Sequence, residues 1–343
     1  MKKWMIVLLA MLTAILVACS NDDAENDDTA EVSDALNVYT TVYPLQYFTE
    51  VIGGDHVSVQ SIYPAGANEH TFEPTQKDMM NLADADVFFY IGLGLEGFVE
   101  KAQTTLTNEN VQLVATADNI SEEDLHISTG HTHAEAITAH EEEHGHDHEH
   151  EATEEHDHEH EATEEAHDHG EHDSHVWLSP VLSKQLAEAI KNTLVEKLPA
   201  HEATFNANYE ALVADLDALH ASFEEMAAAT TNKTFFVSHA AFGYIAGHYG
   251  LKQVPVAGLN SQSEPSQKEL TAIVDLAKKQ NIKHIFFEQN VSSNLTEVIQ
   301  QEIGAETLVL HNLSVLTNDD IQNNETYFTL MEKNIEALQT ALQ

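Results

Sequence analysis

The stretch that decides the fold is KTFFVSHAAFGYIAGHYGLKQVPVAG, residues 233–258. It opens with a short apolar run, KTFFVS (233–238), which predicts a buried strand. A predicted helix over 240–250 ends at Gly250, and a second strand is predicted over 251–258. Two strands joined by a helix form a parallel βαβ unit, whose sheet is covered on both faces.

The same alternation of strand and helix recurs on both sides of this stretch. Upstream strands are predicted over residues 36–44, 57–63, 87–92 and 111–116, with helices over 44–53, 74–86 and 95–106. Downstream, strands are predicted over 283–288 and 306–313, with helices over 266–281, 294–304 and 324–342. Two long helices, about 180–198 and 201–229, are broken near Pro199 and separate the two series. The predicted fold class is therefore α/β, with two parallel-sheet α/β lobes joined by a long helix.

The N-terminus has the pattern of an export signal. Lys2 and Lys3 precede the apolar run WMIVLLAMLTAILVA, and LVAC then places Cys19 where a bacterial lipoprotein is cut and lipidated. The alternative is a single transmembrane anchor, but this run is shorter than the ~20 residues that span a bilayer. We therefore predict a signal peptide over 1–18 and an acidic, lipid-anchored tether over 19–35.

The charge of the chain restricts its partners. The sequence has 14 basic side chains, all of them lysine, and a formal net charge of -44. Such a field repels nucleic acid and anionic lipid headgroups, so we expect no nucleic-acid partner. Cations suit this surface far better than anions. Because the one cysteine is used by the anchor, a metal site must be built from His, Asp, Glu or water.

Residues 121–174 interrupt the α/β pattern with a tract rich in histidine and acid. The unit HDHEHEATEE occurs twice in succession, and 15 of the 23 histidines lie between His126 and His175. The tract has few large apolar residues, so we predict a disordered, exposed loop. It offers many weak metal sites and is either a metal-collecting antenna, a sensor of metal sufficiency or an inert linker.

Three histidines stand where predicted strands or the tract give way to loops. They are His70 in PAGANEHTFEPT, His175 in DSHVWLSP and His239 in FFVSHAAFGY. Ligands of open α/β sheets collect beyond the carboxyl ends of the strands. Three imidazoles with one oxygen donor form a common Zn²⁺ site, although each histidine alone is as easily an ordinary surface or core residue.

These stretches carry a resemblance to a known family. The segment from VYPLQYFTEVIGGDH to GLGLEGF (42–98), HVWLSP, and VSHAAFGYIAGHYGLKQVPVAG resemble the cluster A-I substrate-binding proteins of bacterial ABC transporters, specifically their zinc-binding lipoproteins. The resemblance covers nearly the whole mature chain. It implies two α/β lobes linked by a rigid long helix, with the metal bound in the cleft between the lobes.

The resemblance also implies the metal ligands. His70, His175 and His239 match the family's three histidines, and a histidine at the third position favours Zn²⁺ over Mn²⁺. Many relatives supply a fourth ligand, Asp or Glu, where this chain has Ser314 in LHNLSVLTNDD. The fourth position is then filled by water or by Glu69. The weaker candidates for it are Asp319, Asp320 and Glu288, the last of which is expected to support the site from behind.

From these observations we predict an extracytoplasmic protein that captures Zn²⁺ and delivers it to the permease of an ABC importer. It is expected to be a monomer, held on the outer face of the cell membrane through Cys19, and not an enzyme. The expected domains are an N-terminal lobe over 36–200 that includes the 121–174 loop, a linking helix over 201–230 and a C-terminal lobe over 231–343. The alternatives are a secreted zinc hydrolase with an open three-histidine site and a metal-buffering surface adhesin.

Two further motifs have simpler structural explanations. GLGLEG (92–97) matches a dinucleotide-binding pattern, but it lies outside the first βα unit and Glu96 would face a pyrophosphate. It is better explained as a tight strand-to-helix turn. Ser238 and His239 are adjacent in an extended segment, so their side chains point to opposite faces and cannot form a nucleophile–base pair.

Overall fold

The computed structural model describes residues 35–130, 172–290 and 293–343. The predicted signal peptide, Cys19 and residues 131–171 of the histidine-rich tract lie outside the described residues. Within the described ranges, none of the helices combines the length and the apolar character needed to cross a membrane.

The first lobe is built on a parallel sheet of four strands in the order β2-β1-β3-β4. Its strands are β1 (Leu36–Thr40), β2 (Val57–Ser61), β3 (Val87–Tyr90) and β4 (Gln112–Ala115). Its helices are α1 (Tyr43–Gly53), α2 (Gln76–Ala83), α3 (Val99–Thr105) and α4 (Glu122–Leu125). Every residue of β3 is buried, as expected for an interior strand of a sheet covered on both faces.

The second lobe repeats this plan, with four parallel strands in the order β6-β5-β7-β8. Its strands are β5 (Thr234–His239), β6 (Lys252–Ala257), β7 (His284–Phe287) and β8 (Glu306–Val309). Between the two sheets run the long helices α5 (Pro180–Lys197) and α6 (Glu202–Ala229). The remaining helices are α7 (Gly243–His248), α8 (Gln267–Lys279), α9 (Asn294–Ile303), α10 (Asn318–Gln322) and α11 (Tyr327–Ala341). The predicted fold class is confirmed.

Local signals in the sequence fix where these helices begin and end. Pro44 and Pro180 stand in the first turns of α1 and α5, where a missing N–H costs no helical hydrogen bond. Ser266 and Glu269 form a reciprocal capping box at the start of α8. Gly304 ends α9 in the left-handed conformation at φ 67°, which glycine adopts without strain.

Four helices begin two to four residues later than the sequence predicts, namely α2, α3, α7 and α11, and the late start of α7 bears on the site. Helix α7 starts at Gly243 rather than at residue 240, because β5 continues to His239 and the Ala240 N–H still donates to the Gly258 carbonyl at 3.2 Å. The strand therefore delivers His239 at its carboxyl end, and a short turn separates this residue from the helix.

The ends of the predicted disordered loop are ordered. Residues 121–130 and 172–174 are described, and Leu125 and Ser128 are buried. Gly247 of α7 packs so closely on this segment that a Cβ there would overlap the Ile127 carbonyl. The Thr129 N–H donates to the Gly243 carbonyl at 3.2 Å. The composition of the tract does not indicate these contacts, because they depend on a complementary surface formed by distant residues.

Glu96 explains the tight turn after β3. Its carboxylate accepts hydrogen bonds from the Thr41 hydroxyl at 2.8 Å and from the backbone N–H groups of Ile91 and Gly92 at 2.8 and 3.1 Å. Burial raises the pKa of Glu96 to about 7, although these donors favour the ionised form and lower it.

This raised pKa predicts a pH-dependent stability that Glu96→Gln should remove. Between pH ~4.5 and ~7 the folded carboxyl keeps its proton while the unfolded one loses it, so Glu96 makes stability fall as pH rises. Across that window the loss amounts to about 3 kcal/mol. Denaturant unfolding of both proteins at several pH values should show Glu96→Gln gaining stability relative to wild type as pH rises. The exposed Glu100→Gln serves as control, and a constant difference for Glu96→Gln would refute the assignment.

Candidate metal centre

Three separated segments bring the predicted histidines to one place. His70 lies in the loop between β2 and α2, and His175 directly precedes the turn Val176–Leu178 that leads into α5. His239 is the last residue of β5. The ligand atoms of these three residues and of Glu69 all lie within 4.8 Å of one another. The sequence placed these residues at the ends of segments, and the fold brings all four together.

The cluster is removed from solvent. His175 and His239 are fully buried, Glu69 is 2% exposed, and the His70 side chain is 6% exposed. The ring centroids of the three imidazoles are 5.2–5.5 Å apart. Burial of so many polar groups is unfavourable unless they are hydrogen-bonded or bind a cation.

His175 is oriented by Asp173, two residues before it. The Nδ1 atom of His175 lies 2.8 Å from Asp173 Oδ1, which also accepts the His175 backbone N–H at 3.0 Å. Burial alone would raise the pKa of Asp173, but its hydrogen bond and charge interaction with His175 lower it overall. The ionised carboxylate thus holds the proton on Nδ1 and leaves Nε2 with a free lone pair.

His239 is oriented in the same way by Glu288. The two side chains meet at 2.6 Å between His239 Nδ1 and Glu288 Oε1. Burial alone would lower the pKa of His239, but the charge of Glu288 and this hydrogen bond raise it overall. The Nε2 atom of His239 points toward the centre of the cluster, 3.3 Å from His175 Nε2. Two nitrogens bound to one tetrahedral zinc ion at about 2.0–2.1 Å are roughly 3.4 Å apart, so this pair has the spacing that zinc requires.

His70 contributes a nitrogen that is both buried and unpartnered. Its Nε2 has no hydrogen-bond partner among the described residues. Burial, together with the neighbouring His175 and His239, lowers the pKa of His70 to about 2. This imidazole is therefore neutral across the physiological pH range, which is the form that binds a metal ion.

Glu69 is held beside His70 by donors from the second lobe. Its Oε1 lies 3.8 Å from His70 Nε2, within the cluster. The carboxylate accepts hydrogen bonds from the side chains of Asn290, Asn312 and Ser314 at 2.9–3.2 Å. These bonds stabilise a buried negative charge and fix its orientation.

The other acids considered for the fourth position are engaged elsewhere. Asp320 caps α10 and lies 3.2 Å from His311 Nε2. Asp319 is in the exposed first turn of the same helix. Glu288 supports His239 from behind rather than facing the cluster, as predicted for it. Ser314, which stands where many relatives have an acid, donates to Glu69 at 2.9 Å.

Sequence reasoning missed three residues that build the site. Asp173 could have been noticed from its position two residues before His175. Asn290 and Asn312 follow β7 and β8, at the sheet edge where ligand-binding residues collect. Their amide groups carry no sequence signal of their own, because asparagine is common in surface loops.

Two parallel-sheet lobes with converging imidazoles between them define the class of two-lobed binding proteins that hold a metal ion in the cleft. Residues 38–341 match the sequence model of a family described as zinc-uptake complex component A, periplasmic. The chain belongs to this family, whose members are transport components and not enzymes.

Named relatives and a solved structure agree with this family assignment. The chain is 35% identical over 340 residues to the zinc-binding lipoprotein AdcA of Streptococcus pneumoniae, covering 98% of this chain but only 60% of that protein. It is 33% identical over 342 residues to the high-affinity zinc uptake system protein ZnuA of Bacillus subtilis, covering 99% of this chain and 98% of that one. The Zn(II)-bound ZnuA-like domain of S. pneumoniae AdcA superposes with a TM-score of 0.68 at 31% identity, covering 90% of this chain and 99% of that domain.

Proposed function

We propose that this protein captures Zn²⁺ outside the cytoplasm and delivers it to the permease of an ABC importer. The observation that carries the proposal is the buried convergence of Glu69, His70, His175 and His239. Three imidazoles and one carboxylate make up a typical zinc site, and the nitrogen-rich set favours zinc over manganese. The similarity to zinc-binding and zinc-uptake proteins supports the same metal.

The position of the ligands supports a role in transport. His70 and Glu69 come from the first lobe, His239 comes from the second, and His175 precedes the helix pair between the sheets. A metal ion bound to all of them ties the two lobes together. The lobe arrangement then depends on whether zinc is bound, which is what a permease must sense to accept a loaded protein.

We further propose that Cys19 carries the lipid anchor and that the protein acts as a monomer at the outer face of the membrane. The sequence LVAC and the relative named as a lipoprotein support this placement. The histidine-rich tract would act as an accessory that raises the local zinc concentration. We expect its sites to be weaker than the buried cluster, because the few large apolar residues of the tract predict no packed core that would hold the ligands in place before binding.

A zinc hydrolase is not supported. Hydrolysis at a zinc site needs a general base positioned beside the metal-bound water. Among the described residues, Glu69 is the acid that shares the ligand cluster with the three imidazoles, and its carboxylate is held by three hydrogen-bond donors instead of being free to take a proton. Asp173 and Glu288 are bound to the Nδ1 atoms on the far side of His175 and His239.

The decisive experiment is zinc uptake by cells that lack the gene. In medium depleted of zinc, we expect uptake of radioactive zinc to fall and to be restored by the full chain. A His175→Ala chain should fail to restore it, and a Cys19→Ala chain should restore it only weakly because the protein is released from the membrane. Uptake that is unchanged by loss of the gene at every limiting zinc concentration would overturn the proposal.

A further inference from the structure

We propose that Asn290 and Ser314 select the metal by holding one oxygen of Glu69, so that this carboxylate offers a single oxygen to the ion. Asn290 follows β7 and Ser314 follows β8, whereas Glu69 comes from the first lobe. The inference rests on the proposed function, because it assigns a role at the same metal site.

The two oxygens of Glu69 have different surroundings. Oε2 accepts the Ser314 hydroxyl at 2.9 Å and the Asn290 side-chain amide at 3.1 Å. Two donors occupy the two lone pairs of this carboxylate oxygen, so it has none left for a metal ion. This oxygen is held by the second lobe.

Oε1 has weaker contacts and faces the imidazoles. It lies 3.8 Å from His70 Nε2 and accepts only the Asn312 amide, at 3.2 Å, among the described hydrogen bonds. That amide has two protons and three acceptors, and its shortest contact is to Glu288 at 2.9 Å. The bond to Oε1 is therefore the one most readily given up, and Oε1 is the oxygen left for a metal ion.

The Ser314 hydroxyl proton has two possible acceptors, and we assign it to Glu69. The hydroxyl is also 2.9 Å from Asn312 Oδ1, which competes with Glu69 for the single proton. However, Asn312 Oδ1 already accepts the Ser314 backbone N–H at 3.1 Å. The charged carboxylate is the stronger acceptor, so the hydroxyl donates to Glu69.

Asn290 fixes the position of the acid as well as its orientation. Besides Oε2, its amide contacts the Ala67 carbonyl at 3.2 Å, two residues before Glu69, and the Ser314 hydroxyl oxygen at 3.0 Å. The Ser314 contact joins the two groups that hold Oε2, so Asn290 also supports the serine that donates to this oxygen. The same side chain thus holds both the backbone and the carboxylate of the first-lobe loop. Rotation of the carboxylate to present both oxygens would break the bonds to Oε2.

The number of oxygens offered bears on metal choice. Zinc is satisfied by four ligands, three imidazoles and one carboxylate oxygen. Manganese prefers octahedral, oxygen-rich surroundings, so a two-oxygen carboxylate would suit it better than a one-oxygen carboxylate. Holding Oε2 therefore disfavours manganese while leaving the zinc site complete.

The test compares Ser314→Ala and Asn290→Ala with wild type in the full chain. The matched control is Gln289→Ala, which removes an amide that contacts His311 and Asn312 but, among the described hydrogen bonds, not Glu69. Zinc and manganese affinities are measured by competition with a chelator. Cobalt(II) replaces zinc as a probe, because its visible absorption is strong in four-coordinate sites and weak in six-coordinate ones.

We expect Ser314→Ala and Asn290→Ala each to lower the preference for zinc over manganese by about tenfold, because loss of a group that orients a metal ligand typically costs 10–100-fold in affinity. Both variants should also weaken the cobalt absorption. Gln289→Ala should change neither. Equal weakening of both metals with an unchanged cobalt spectrum means that the contacts are merely structural and overturns the inference. The same follows if Glu69→Gln leaves the cobalt spectrum unaltered.

Two outcomes separate this inference from the proposed function. If wild type binds zinc tightly and the variants keep its metal preference, the inference is wrong and the proposed function is unaffected. If wild type does not bind zinc tightly, the inference and the proposed function are both wrong. Circular dichroism checks that each variant is folded, and Ser314→Thr, which keeps the hydroxyl, should restore the wild-type preference if the loss in Ser314→Ala comes from the donor.

Discussion

Replacing His239 by alanine is expected to weaken zinc binding by roughly a hundred- to a thousand-fold. A four-ligand zinc site contributes about 10–16 kcal/mol, so one ligand of four accounts for about 3–4 kcal/mol, and each 1.4 kcal/mol is a factor of ten. His239 is fully buried, and Glu288 fixes its Nδ1 at 2.6 Å so that Nε2 faces the cluster. Water has little access to replace the lost nitrogen.

Calorimetric titration of the soluble chain, with a competing chelator for the tightest affinities, measures this loss. His284→Ala is the matched control, because His284 begins β7 at the opposite end of the same sheet from His239. A second protein lacks residues 131–171 and keeps the ordered flanks of the tract. It should retain the one tight site and lose only weak binding.

The opposite pattern of zinc affinities would move the functional site from the buried cluster to the histidine-rich tract. If tight binding disappears with residues 131–171 and survives in His239→Ala, the repeat HDHEHEATEE is the functional site. The cluster of three histidines would then be a buried polar network with no role in zinc capture.

Replacing Trp177 by alanine is expected to lower the free energy of unfolding by about 3–5 kcal/mol, the usual range for a buried tryptophan. The side chain is fully buried, and its Nε1 donates to the Asn312 carbonyl at 2.7 Å. Asn312 follows β8 and also contacts Glu69, so this bond links the segment after His175 to the polar network around the acid.

Denaturant unfolding followed by far-ultraviolet circular dichroism measures this change. Fluorescence is unsuitable because Trp177 is the one tryptophan outside the predicted signal peptide. A chelator must be present, since bound zinc would stabilise the folded state and mask the difference. Trp177→Phe keeps most of the apolar volume and loses the hydrogen bond, so it should cost about 1–3 kcal/mol. Equal stability of Trp177→Ala and wild type would show that the cavity is filled by rearrangement.

Much of the fold could be predicted because its signals are local. Strands β3 and β5 are buried throughout, as the apolar runs VFFY and FFV within them indicate. Pro44, Pro180 and Gly304 mark helix ends by their own backbone preferences. Such signals act within a few residues and need no knowledge of distant contacts.

The site could be predicted only in part. The positions of His70, His175 and His239 at the ends of segments, together with the family resemblance, predict them as metal ligands. The fold brings them together with Glu69. Nothing local shows that Asn290 and Asn312 would reach across to Glu69. Contacts between residues more than 200 positions apart depend on how the lobes pack.

By itself, the sequence determined that this chain forms two parallel-sheet lobes and carries three imidazoles where strands and loops meet, because hydrophobic periodicity and chain order set both. Only the tertiary structure decided that Glu69 is the acid in the histidine cluster and that the carboxylates of Asp173 and Glu288 orient His175 and His239. It also decided that residues 121–130 pack on the second lobe. The physical reason is that these arrangements depend on hydrogen bonds and close packing between distant segments. Such contacts exist only once both lobes have folded and met.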